Sequence, residues 1–358
     1  RDATILFWDD NVNEVSQGLV RSLFVTYFRK TTLYIFTVLY LGGAIFSPQL
    51  LARDYAENVT AQKFFKEMEE RHDFDGSKLR KLFSQVYRDQ RILDLISKPA
   101  EKRLAWREYR KIFLDNARIR NGIKFWEENE RVISDASVRY GVPGEIIAAI
   151  IGVETRYGKV TGNHRVISAL STLAFDYPPR SRFFRKELES FLLLTREEGK
   201  SPLELKGSYA GAMGYGQFMP SSYRAYAVDS DKDGKRDIWN SRADAIGSVA
   251  NYLSAHNWEK GAGVAIRVEL DSELNGLDDD SFSELRPNLT GSQLLKMGFK
   301  VPSTHLEKTV ALIRLRSDAE SEYWLGEWNF YVITRYNRSP MYAMAVLQLA
   351  QALRTGKS

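Results

Sequence analysis

The sequence predicts a mainly α fold of the α+β class, with helices over most of its length and one small strand-containing subdomain towards the carboxyl end. Three observations carry this expectation. Helical patterns, amphipathic or apolar all round, run from Phe64 to His72, Lys78 to Ser97, Val132 to Tyr140 and Ile146 to Val153, and return after Tyr336. Between the helical patterns SSYRAYAV and ADAIGSVANYLSAH, the stretch DSDKDGKRDIWN (229–240) sets carboxylates at alternating positions around a glycine, as a helix–loop–helix calcium loop requires. Alternating, turn-rich text, including VAIRVEL, TVALIRL and NFYVITRY, fills residues 261–330. At 358 residues, 44% hydrophobic and 27% charged, the chain is long and apolar enough to bury a large core and form two to three lobes.

Composition excludes several chemistries. With no cysteine there is no disulfide, thiolate metal site or cysteine nucleophile, and no lipid attachment through cysteine. Four histidines at 72, 164, 256 and 305 have no metal-ligand spacing. The 51 basic and 46 acidic residues are interleaved, so the net charge of +5 is diffuse. Such a balance suits a loosely anionic partner and not a nucleic-acid backbone. Aromatic residues make up 12% and include 18 Tyr, enough for rings to stack on sugars as well as to pack a core.

Taken in order, residues 1–28 form an unassigned extension. Arg29 and Lys30 then precede an apolar run from Thr31 to Phe46 and SPQLLA to Ala52, the pattern of a secretory signal. The run is shorter than the ~20 residues of a spanning helix. Ala52 offers a cleavage end, whereas Leu50 is larger than the residue favoured two places earlier, so a cleaved signal and a retained membrane anchor both stay open. Residues 53–140 read as a helical lobe in which WREYRKIF (106–113) is ordinary amphipathic packing.

Residues 141–260 hold the two informative stretches. In YGVPGEIIAAIIGVETRYG (140–158), Pro143 suits a helix start, and Ile146 to Val153 has no polar face, so the helix is buried. Glu154 emerges at its end, where desolvation disfavours the charged form, as for a carboxylic acid that donates a proton near neutral pH. A carboxylate that caps the helix or pairs with an arginine is the competing reading. Pro178 and Pro179 break the next helices beside Arg180 and Arg182. In KGSYAGAMGYGQFMPSSYRAY (206–226), four glycines surround Tyr215, Gln217 and Met219; it is either a structural turn or a loop that lets a ligand approach backbone. It lacks the Lys-Ser/Thr ending of a phosphate cradle. In the acidic loop, Asp229, Asp231, Asp233 and Asp237 occupy positions 1, 3, 5 and 9, with Gly234 at 6; Asn240 stands where a bidentate Glu is usual, which leaves Asp244 to close the shell. Residues 331–358 return to helix.

Taken together, GVETRYG (152–158), GAMGYGQFMPSSY (211–223), the acidic loop followed by DAIGSVANY (244–252), and TRYNRSPMYAMAV (334–346) resemble the membrane-bound lytic transglycosylase B family, glycoside hydrolase family 103, over residues 55–355. The resemblance implies a lysozyme-like helical core with an EF-hand-like loop, completed by the carboxyl-terminal helix. It implies a periplasmic or inner-membrane-anchored monomer that cleaves the MurNAc–GlcNAc β-1,4 bond of peptidoglycan strands without water, leaving a 1,6-anhydro-muramyl end. By position, Glu154 matches the acid/base, and Tyr109, Arg180, Ser208, Gln217, Tyr252, Tyr336, Asn337 and Tyr342 fall where that family lines its glycan groove. Asp229, Asp231, Asp233, the Lys235 carbonyl, Asp237 and Asp244 correspond to a structural cation site for Ca²⁺ or another cation, with no cofactor for catalysis. One departure is visible: the family often has two arginines after its Tyr-Pro, where this chain has Pro179 and then Arg180.

A hydrolysing glycosidase normally needs a second carboxylate about 5 Å or farther from the first. The nearest candidates in the sequence are occupied by the cation loop, which favours a mechanism with the sugar's own hydroxyl as nucleophile. A water-using muramidase and a non-catalytic wall-binding protein are the alternatives; the presence of Glu at 154 argues against the latter.

Overall fold

A computed structural model of the chain describes residues 54–97, 104–271, 280–317 and 320–357. The extension 1–28 and the signal or anchor segment 29–52 lie outside these residues. The described residues open with helices started by acceptor side chains: α1 (Val59–His72) by Asn58, α2 (Gly76–Phe83) by Asp75 and α3 (Gln90–Ile96) by Asp89. Each cap satisfies an amide that the helix itself leaves unbonded. The pattern read as one helix over 78–97 is therefore two, because Asp89 accepts from Arg91 N and begins a new helix. Next come α4 (Trp106–Phe113), α5 (Asn116–Glu128, started by Asp115) and α6 (Glu130–Tyr140), which ends on Gly141 at φ 73°.

The core is organised around α7 (Gly144–Thr155), in which every residue except Glu145 is buried. An all-apolar helix is stable only when surrounded; α5, α6, α11 and α14 pack against it. After it, β1 (His164–Arg165), α8 (Val166–Asp176), a 3₁₀ turn at Pro178–Arg180 and α9 (Ser181–Glu197) form a helical hairpin broken by the two prolines. Strand β2 (Lys206–Gly207) pairs antiparallel with β1 and brings the glycine-rich loop back over α8. Helices α10 (Pro220–Tyr226) and α11 (Arg242–Ala255) flank the acidic loop.

The subdomain consists of β3 (Ala265–Val268), β4 (Leu289–Thr290), α12 (Gly291–Lys296), β5 (Thr309–Leu315) and β6 (Glu322–Gly326), with the antiparallel strand order β3-β6-β5-β4. Alternation along β5 divides its side chains between two cores. Val310 and Leu312 join Val268, Phe282, Leu294, Phe299 and Leu325 in a small core, while Ala311, Ile313 and Leu315 join the main one.

The segment NFYVITRY, expected to be strand, is instead helix α13 (Trp328–Tyr336). Its aromatic and β-branched composition favours a strand locally, but burial of Phe330, Val332, Ile333 and Tyr336 forms a helical stripe, and tertiary packing overrides the preference. Helix α14 (Pro340–Lys357) starts behind Ser339, whose hydroxyl accepts from Tyr342 N, and lies along α7. No single described helix is long and apolar enough to cross a membrane.

Candidate active site

Glu154 occupies the last turn of α7 and is only 7% exposed. The chain leaves this buried helix through two successive left-handed residues, Arg156 (φ 51°) and Tyr157 (φ 62°), followed by Gly158 (φ 84°). Such conformations cost ~1–3 kcal/mol each outside glycine and persist only where the surroundings enforce them. Here the Thr155 hydroxyl donates to Tyr215 O (2.9 Å) and accepts from Gly158 N (2.9 Å). The Tyr157 ring folds back onto α7, where a Cβ on Gly152 would come within 2.5 Å of its hydroxyl. At Gly158 a Cβ would stand 2.0 Å from the Tyr215 ring. The glycines of GVETRYG are thus explained by close approach on either side of Glu154.

The opposing wall comes from the α13–α14 turn. Tyr342, in the first turn of α14, donates its hydroxyl to Glu154 Oε1 at 2.6 Å. Burial first, and then the Glu154 charge, hold the Tyr342 phenol well above the usual tyrosine range, so it stays a proton donor to the carboxylate. Tyr336 stacks beside it (centroids 6.5 Å apart, planes at 8°) and donates to Gly216 O at 2.5 Å, tying the glycine-rich loop to the same junction. Its phenol is raised for the same reasons, burial first and then the Glu154 charge.

Two amides flank the Tyr336–Gly216 bond. Gln217, at φ 51°, donates Nε2 to Gly214 O (2.9 Å) and Thr161 O (3.1 Å), while its buried Oε1 has no partner. Asn337 is 2% exposed, with neither Oδ1 nor Nδ2 bonded. Buried polar groups are nearly always satisfied, so these atoms mark a place suited to ligand hydroxyls or water.

Of the other residues expected to line the groove, Tyr109 and Tyr252 are tied to this wall, whereas Ser208 and Arg180 have surroundings of their own. Ser208 accepts from Ala210 N and Ala212 N, bracing the glycine-rich loop, and borders a cleft of about 410 Å³ with Lys159, Thr161, Asn163, His164 and Tyr209. Tyr109 is fully buried against Trp106 and Phe113, near enough to Tyr342 to act on its phenol. Tyr252 stands behind the wall, its ring against Tyr336 and its hydroxyl on Arg335 O. The Arg180 guanidinium lies over Phe183 (4.4 Å), and its charge acts on buried Glu187, which holds Ser221 N and Oγ at the start of α10. Arg182 is exposed.

In the acidic loop, oxygens of Asp229, Asp231 and Asp244 lie within 4.8 Å of one another, and Asp229 Oδ1 is buried without a hydrogen-bond partner. A hard cation fits this set of oxygens. Asp244, 1% exposed, fastens both ends of the loop by accepting from Ser230 N (2.7 Å) and Asp237 N (2.8 Å). Asp231, Asp233 and Asp237 each also accept within local turns, from Asp233 N, from Lys235 N, and from Trp239 N and Asn240 N respectively. Of the five carboxylates expected there, Asp229, Asp231 and Asp244 have oxygens gathered together. Burial raises the Asp244 carboxyl, with the Asp231 charge adding to the effect, a crowding of negative charge that a dication relieves.

A lysozyme-like helical core with one buried glutamate at the end of an apolar helix defines the class of enzyme. The chain belongs to the family described as Transglycosylase SLT domain, which matches residues 56–351. It is 44% identical over 327 residues to the membrane-bound lytic murein transglycosylase B of Escherichia coli (strain K12), covering 87% of this chain and 88% of that protein. The solved catenated lytic transglycosylase SltB1 from Pseudomonas aeruginosa superposes with a TM-score of 0.80 at 48% identity, covering 85% of this chain and all of that one (100%). The Escherichia coli lytic transglycosylase Slt35 in complex with calcium superposes at 0.76 with 45% identity, covering 85% of this chain and 95% of that one. The chain is accordingly a lytic transglycosylase.

Proposed function

We propose that this enzyme cleaves the MurNAc–GlcNAc β-1,4 bond of murein by intramolecular transglycosylation, with Glu154 as its single acid and base. The observation that carries the reading is the buried Glu154–Tyr342 pair, which holds a carboxyl group at the end of α7 against a phenol that stays protonated. Protonated Glu154 gives its proton to the glycosidic oxygen, the C1–O bond breaks, and the muramyl C6 hydroxyl closes on C1. Glu154 then takes back the hydroxyl proton, so the enzyme is restored without water. Tyr342 orients the carboxyl, and Gln217 and Asn337 offer their unbonded amide atoms to sugar hydroxyls. Residues 53–140, 141–260 and 261–330 act as lobe, catalytic core and β subdomain, and 331–358 complete the groove. Digestion of purified sacculi tests this: muropeptides lighter by one water than their hydrolysed counterparts are expected, whereas reducing ends throughout would make the protein a muramidase.

The acidic loop serves stability, with Asp229, Asp231 and Asp244 holding Ca²⁺ between α10 and α11; the calcium complex of the Slt35 relative supports this reading. Mass action sets the expected effect, about 2.7 kcal/mol at a hundredfold excess of ion over the dissociation constant. Chelation of metal-loaded protein should lower the Tm while leaving the pH dependence of kcat unchanged; an unaltered melting curve would exclude a structural ion.

The enzyme works outside the cytoplasm, directed by residues 29–52. A reporter without its own signal, fused after Ala56, should be exported; retention in the cytoplasmic fraction would refute the assignment.

A further inference from the structure

We infer that Arg118 of α5 positions the backbone that carries Glu154, through a guanidinium clamp on the two peptide carbonyls just before it. The inference rests on Glu154 being the acid and base. Arg118 is 4% exposed, and its Nη1 donates to Gly152 O (3.1 Å) and Val153 O (3.4 Å). These belong to the last turn of α7, where helix carbonyls run short of partners and the helix dipole presents its negative end. Arg156 N reaches Gly152 O, but Tyr157 N turns back to Ile151 O, so the left-handed exit leaves Val153 O to Arg118.

The same face of α5 holds the chain after Glu154 as well. Gly122, one turn on, leaves a slot for Tyr157, since a Cβ there would approach the phenol oxygen to 2.2 Å. Phe125, a further turn along, packs its ring on Tyr157 at 5.4 Å. Residues 118, 122 and 125 follow the i, i+4, i+7 spacing of a single helical face. Glu154 is thus bracketed, with a charged clamp before it and an aromatic lock after it. The Phe113 ring lies 5.0 Å from the Arg118 guanidinium, and Asp115 stands 3.9 Å from Nε. Desolvation first, and then Arg156, lower the guanidinium to about 10, leaving it cationic at neutral pH.

A cap of purely structural value would alter melting and leave turnover alone, so the test reads kcat and KM separately. Full-length Arg118→Gln, whose amide carries no charge and too little reach for both carbonyls, and Arg118→Lys, which keeps the charge without the planar fork, are assayed on soluble murein glycan strands well below their Tm. The expected result is a kcat reduced about 10- to 100-fold in Arg118→Gln with KM within twofold, since small misplacements of catalytic groups have effects of that order. Arg118→Lys should recover part of the loss. If Arg118→Gln does not fold, Arg118→Lys alone decides, with kcat below half of wild type at unchanged KM supporting the clamp and wild-type kcat overturning it. Glu154→Gln run alongside separates the two claims. Activity in Glu154→Gln overturns the acid assignment and the clamp with it; an inactive Glu154→Gln together with wild-type kcat in both Arg118 variants overturns the clamp alone.

Discussion

Glu154→Gln is expected to fold, to bind glycan and to lose turnover by about 10² to 10⁴, the usual contribution of a general acid. The amide keeps the shape of the side chain, and its carbonyl oxygen can still accept the Tyr342 hydroxyl that Glu154 Oε1 accepts at 2.6 Å. What it cannot do is transfer a proton to the leaving oxygen. Because the site is buried beneath α14, replacing an ionisable group by a neutral one leaves stability unchanged or raises it. The comparison of interest is therefore turnover against melting temperature: a fully folded variant retaining more than a tenth of wild-type activity would remove Glu154 from the mechanism.

Tyr342→Phe should reduce kcat by about 10- to 100-fold with a smaller change in KM. The phenol is 1% exposed and bonds a carboxylate directly, and a hydrogen bond to a charged group contributes ~1.5–3 kcal/mol. Phe preserves the packing against Tyr336, so the loss isolates the hydroxyl. Soluble strands under saturating conditions provide the measurement. A kcat equal to wild type would mean that Tyr342 packs the wall without orienting the acid.

Much of this arrangement could be read in advance where local chemistry and tertiary role coincide. An apolar run with no polar face can only be a buried helix, and Glu154 at its end is visible as an outlier in that run. The acidic loop announces itself by its alternating carboxylates and glycine. Two kinds of feature were hidden. NFYVITRY has the composition of a strand and becomes α13 because of what it packs against. Arg118 left no trace at all, being one arginine on an amphipathic helix whose partner carbonyl lies 34 residues away. Thr155 is equally ordinary in sequence, and only the left-handed exit of α7 gives its hydroxyl a purpose.

The central claim, that one carboxylate suffices because the substrate supplies its own nucleophile, is tested most directly by digesting intact sacculi in ¹⁸O water. Proximity makes an intramolecular hydroxyl far more effective than solvent, with effective molarities of about 10⁵ to 10⁸ M in well-oriented cases. In the proposed mechanism Glu154 is the single acid and base, so no second carboxylate activates a water against that competition. The new muramyl ends should then be 1,6-anhydro, unlabelled and inert to borohydride. Reducible ends carrying ¹⁸O at the anomeric oxygen would contradict the account and make water the nucleophile.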